Sequence, residues 1–86
     1  MSTTPQEFPS DFPIKVMGRH DSDLRALTQT IIERHAGPIA DTRVKTRTSA
    51  DGNFLALTYM VHATSREQLD KIYRELTACK SVLMAL

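Results

Sequence analysis

Apolar and polar positions change period several times along the chain, and each change marks an element. From Phe12 to Gly18 apolar side chains alternate: Phe12, Ile14 and Val16 on one side, Pro13, Lys15 and Met17 on the other. Period two predicts a half-buried strand. Leu24, Leu27, Thr28, Ile31, Ile32 and His35 then recur at helical spacing. Asp21 or Ser22 is placed to cap that helix. Gly37-Pro38 stops it, since Gly accepts the left-handed position after a helix and Pro cannot continue one. Thr42 to Ser49 alternates again, with Thr42, Val44, Thr46 and Thr48 opposed to Arg43, Lys45 and Arg47. A strand with one cationic side suits a sheet edge, where Lys and Arg discourage stray pairing. Asp51-Gly52 reads as a hairpin turn. Phe54 to Ala63 is apolar on both faces, as a central strand is. In Thr64-Ser65-Arg66-Glu67 the Thr64 hydroxyl and the Glu67 carboxylate have the spacing of a capping box. Leu69, Ile72, Tyr73 and Leu76 form the stripe of a second helix, and Val82 to Leu86 form a last strand.

The order strand, helix, strand, strand, helix, strand predicts an α+β, ferredoxin-like βαββαβ sandwich: a four-stranded antiparallel sheet with two helices on one face. Right-handed crossovers place the first and third strands centrally and the cationic second strand at an edge. Residues 1–11, with Ser, Thr and two Pro before Asp11, read as a flexible tail, and 12–86 as a single domain.

Composition narrows the function classes. Eleven Lys and Arg stand against ten Asp and Glu in 86 residues, without the basic excess on which phosphate-binding proteins rely. A chain of this size buries roughly 60–65% of its unfolded surface, leaving little room for a deep monomeric pocket. The one cysteine, Cys79, excludes an internal disulfide and a Cys-based zinc cluster. Its position after a helix, with no His nearby in sequence, reads as structural. Met1–Glu7 has neither a basic n-region nor an apolar run, and no stretch approaches the ~20 apolar residues of a membrane span. These features predict a cytoplasmic chain with no membrane partner.

His20, His35 and His62 show no metal-ligand spacing. No nucleophilic Ser sits in a G-x-S-x-G turn, and Asp21, Asp23, Glu33, Asp41, Glu67, Asp70 and Glu75 fall at caps and exposed helix positions. The expectation is therefore no catalytic residues, no metal and no cofactor. Two places remain for binding. Gly18, Arg19 and His20 follow the first strand and lead into a helix whose free N–H groups attract anions, so they are the candidate site for a small anionic effector. Lys15, Arg43, Lys45, Arg47 and Phe54 lie on the uncovered sheet face or its edge, as a surface for a protein partner or for nucleic acid. One aromatic is a poor stacking platform for bases, which ranks nucleic acid second.

A family resemblance then enters through particular residues. Phe8-Pro9, Phe12, Lys15-Val16-Met17-Gly18, Arg34-His35-Ala36, Gly52-Asn53, Ala63-Thr64, Tyr73-Arg74-Glu75-Leu76 and the apolar C-terminal segment occur in this order. Together they resemble the YbeD-like family of small bacterial proteins of unknown function, from Phe8 to Leu86. The resemblance implies a ferredoxin-like fold similar to the regulatory ACT domains, and no established activity. The functional expectation is a non-enzymatic regulatory or adaptor domain. It would bind a protein partner, a small anionic effector or both, with homodimerisation through the open face as a further expectation; a nucleic-acid-binding domain is the alternative.

Overall fold

The computed structural model describes residues 9–20 and 23–86. Its elements are β1 (Ser10–Arg19), α1 (Leu24–Ala36), a 3₁₀ turn (Asp41–Arg43), β2 (Val44–Thr48), β3 (Phe54–Ala63), α2 (Arg66–Ala78) and β4 (Val82–Ala85). One antiparallel sheet has the order β2-β3-β1-β4. The ferredoxin-like α+β architecture, with its central β1 and β3 and its edge β2, is the one the hydrophobic pattern predicts. The first strand starts earlier than expected, so Ser10 and Asp11 belong to the sheet; the rest of the expected tail, 1–8, lies outside the described residues. The proposed α1 caps Asp21 and Ser22 also lie outside them.

Strand parity builds the core. Ile14 and Val16 of β1 and Leu57, Tyr59, Val61 and Ala63 of β3 point to the helices, where Leu24, Ile31 and Ile32 of α1 and Leu69, Ile72 and Leu76 of α2 meet them. Each buried Leu or Ile of this set contributes about 1.5–3 kcal/mol of transfer free energy. Leu27, counted in the apolar stripe of α1 by spacing, is instead exposed, because the sheet reaches only the side of the helix that carries Leu24, Thr28, Ile31 and Ile32.

One polar pair lies inside this layer. Thr28 and Tyr59 are both fully buried, and their hydroxyl oxygens are 2.6 Å apart. Thr28 Oγ1 also lies 2.7 Å from the Leu24 carbonyl and the Tyr59 hydroxyl 3.2 Å from the Arg25 carbonyl, so each hydroxyl has a backbone acceptor on α1 as well as the other hydroxyl. A buried hydroxyl left without a partner costs about 1–3 kcal/mol, so this chain of bonds fixes α1 against β3. Burial pushes the Tyr59 hydroxyl above its ordinary pKa.

The helix ends follow their local chemistry. Gly37 takes φ +80° and donates its N–H to the Glu33 carbonyl, ending α1 as expected. The α2 cap sits one residue later than the Thr64–Glu67 reading. Ser65 is the N-cap and its hydroxyl accepts from the Gln68 N–H at 3.1 Å, while Gln68 Oε1 accepts from the Thr64 N–H at 2.8 Å. Gln68 Nε2 also donates to the His35 carbonyl at 3.0 Å, so one side chain closes the cap and ties it to the end of α1. Two turns further along, Glu75 of α2 pairs with both Arg34 and His35 of α1. His35 thus belongs to a clamp between the two helices.

The hydrogen bond with His35, followed by the charge of Arg34, holds the Glu75 carboxyl below its ordinary value of 4.5. Folding lowers this pKa, so the stabilisation is present above the unfolded value and is lost as pH falls through the folded one. Glu75→Gln should therefore lower the urea midpoint at neutral pH. The gap from the parent should close on acidification below pH 4.5, and a gap independent of pH would contradict the clamp.

Candidate functional site

The helices cover one side of the sheet, and the pleat sends every second side chain to the other. Registers give two rows across this open face. Arg47, Ala56, Met17 and Met84 form one; Lys45, Thr58 and Lys15 form the next. Leu86 completes the second row, because Lys15 and Leu86 exchange both backbone hydrogen bonds, at 3.0 and 2.8 Å. A groove of about 390 Å³ lies between these rows, lined by Lys15, Met17, Lys45, Arg47, Ala56, Thr58, Met84 and Leu86. The groove is graded: cations at the β2 side and Lys15 in the middle, apolar side chains at the β4 side.

Asp11 is the only carboxylate carried by any described strand, and it is already engaged. Arg43 Nη2 lies 2.8 Å and His62 Nδ1 3.6 Å from its Oδ1. Arg43 Nε donates to the Met60 carbonyl at 3.1 Å. Arg43 therefore departs from the expected cationic strand. The 3₁₀ turn, closed by its own N–H on the Ala40 carbonyl, delays the strand to Val44 and folds the guanidinium over Met60 and Asp11. Among the described residues no carboxylate pairs with Lys15, Lys45 or Arg47. The open face thus collects positive charge in a chain whose net charge is only +1.

The expected effector site divides. Arg19 and His20 line a separate cleft of about 370 Å³ with Gly52, Asn53 and Phe54, and the His20 N–H is held by the Asn53 carbonyl at 2.9 Å. Among the described residues none from α1 lines this cleft. Phe54, assigned from sequence to the cationic surface, belongs to this cleft, opposite Arg19 in register. Gly18 does not line it. It is buried in β1, its φ is not positive, and a Cβ there would lie 2.4 Å from the Ser81 carbonyl and 2.8 Å from Leu24 Cδ1. Close packing within the protein calls for this glycine, and no left-handed turn does.

Met84 and Leu86 are the groove residues that sequence reasoning did not single out. A register shift in the β1–β4 ladder between Met17 and Gly18 obscures the parity of the last strand. Among the described residues no three of His, Cys, Asp or Glu converge to hold a metal, and no helix is long and apolar enough to cross a membrane.

The profile of a family described as a protein of unknown function, DUF493, matches residues 3–86. The chain belongs to the DUF493 family. Relatives of this DUF493 chain carry the family name UPF0250. One from Paraburkholderia phytofirmans is 45% identical over 80 residues, covering 93% of this chain and 90% of its own. One from Chromobacterium violaceum is 47% identical over 81 residues, with 93% and 90% covered. A third, from Bordetella pertussis, is 49% identical over 71 residues, with 81% and 77% covered. No solved structure matches the chain. The YbeD-like resemblance read from the sequence is this same family.

Gly18 supplies the test of this reassignment. Gly18→Ala should lower stability by about 1–3 kcal/mol, the usual range for overpacking a filled site, and Gly18→Val by more. Thermal and urea unfolding measure this; an alanine variant as stable as the parent would return Gly18 to the candidate ligand site.

Proposed function

We propose that this DUF493 chain is a non-enzymatic adaptor or regulatory domain whose open sheet face binds an acidic, partly apolar segment of a protein partner. One observation carries the reading: Lys15, Lys45 and Arg47 stand unpaired by any described carboxylate beside the exposed Met17, Met84 and Leu86. Surface cations are ordinarily interspersed with acids, as Arg25 is with Asp41 and Arg34 with Glu75 on the helix side. Concentrating cations of one sign next to exposed apolar side chains costs self-repulsion and solvation, and an occupant with carboxylates and apolar groups relieves both. The graded groove orients such a segment, with its acids toward β2 and its apolar side chains toward β4.

A small effector has weaker support, because neither Gly18 nor any described residue of α1 lines the Arg19–His20 cleft. For nucleic acid, Phe54 lies outside the cationic groove, so the groove offers no aromatic on which a base would stack.

The experiment is fluorescence anisotropy with a labelled peptide of alternating Glu and Leu, beside a mixed single-stranded RNA pool. The peptide should bind, weaken with added salt, and lose at least about tenfold in affinity, roughly 1.4 kcal/mol, on Lys45→Glu with Arg47→Glu. Equal peptide binding by parent and variant would sink the proposal. Salt-sensitive binding of the RNA pool alone would replace it with the nucleic-acid reading.

A further inference from the structure

The two edges of the sheet differ in what a second copy would meet. Antiparallel pairing of β2 with itself would bring Lys45 and Arg47 against the same side chains of the other copy, and like charges directly opposite are destabilising. β4 carries no ionisable side chain from Val82 to Leu86. Leu83, Met84 and Leu86 are 58%, 50% and 63% exposed. An exposed apolar edge is a template for pairing, and this one has none of the Lys, Glu or Pro by which edges are usually blunted.

Backbone geometry adds a register. Leu86 turns both its N–H and its C=O to Lys15, so alternation along an antiparallel ladder turns those of Ala85 away from β1. Met84 lies opposite Met17 and faces β1, and the register shift just beyond it makes Leu83 the extra residue of β4, with no partner opposite it on β1. Among the described residues no strand pairs with this outer edge.

We infer that β4 pairs antiparallel with β4 of a second copy, about a twofold axis through Met84. Leu83 of each copy then exchanges backbone bonds with Ala85 of the other, and the two Met84 side chains meet in a non-hydrogen-bonded pair. The arrangement is self-complementary, as a twofold interface must be. It joins the two sheets into one and sets the apolar sides of both grooves together at its centre, with the cations at the flanks. It stands whether or not a partner binds the open face.

Sedimentation velocity of the parent chain should show a monomer–dimer equilibrium that shifts to dimer with concentration, and Met84→Lys, which places two cations across the axis, should abolish the dimer. Because Met84 is half exposed, this variant should melt like the parent at concentrations where the parent is monomeric. A cross-link provides the second measurement. Residues in a non-hydrogen-bonded antiparallel pair have Cα atoms about 4.5 Å apart, within the ~4.4–6.8 Å that a disulfide spans. In a Cys79→Ser background, Met84→Cys should convert to a covalent dimer under mild oxidation, whereas Arg47→Cys on β2 should stay monomeric. A parent that is monomeric at every concentration, a dimer that survives Met84→Lys, or cross-linking of Arg47→Cys as fast as that of Met84→Cys would each overturn the inference.

Discussion

The layering of the molecule depends on a close approach at Gly18. There β1 passes under the first residue of α1 and beside the turn that leads into β4, leaving no space for a single extra carbon. Three segments distant in sequence meet at that position. If it were wider, Leu24 would lift from the sheet, and with it the Thr28 hydroxyl that satisfies Tyr59. The hydrogen bonds of the core are thus conditional on a steric fit made elsewhere.

The two faces of the sheet illustrate how one alternation serves two purposes. The inward set of β1 and β3 is apolar and interchangeable in character; many sequences would fill that space. The outward set is chemically particular, with cations toward β2 and apolar side chains toward β4. On the helix side each acid of a bridging pair answers a base, and Glu75 answers two. The only acidic side chain that the described strands bring to the open face is Asp11, which Arg43 and His62 already occupy. Its imbalance is a property of the arrangement, since the composition of the whole chain is close to neutral.

Much of this was legible from the sequence, and the exceptions have physical causes. Period-two and helical spacing located every strand and both α-helices, because one-sided burial leaves a strong pattern, and right-handed crossovers then ordered the sheet. The same alternation ran one residue too far at Arg43, since a short 3₁₀ turn before a strand leaves no periodic mark. Thr64 and Ser65 are both competent caps; what decides between them is the Gln68 side chain, which reaches the Thr64 N–H and, across the molecule, His35. Gly18 was visible as a glycine, but its reason lies at Ser81, far along the chain. Met84 and Leu86 joined the groove through a register irregularity that no local signal announces.

The buried Tyr59–Thr28 contact also gives the molecule an intrinsic optical reporter. The chain has two tyrosines and no tryptophan, so its near-ultraviolet signal comes from Tyr59 and Tyr73 with no indole to mask it. Tyr59 is fully enclosed between β3 and α1, while Tyr73 is half-buried on α2. Neither ring touches the open face. Absorbance and emission of the unlabelled chain therefore register the seating of helix on sheet, and remain silent to whatever settles on the other side.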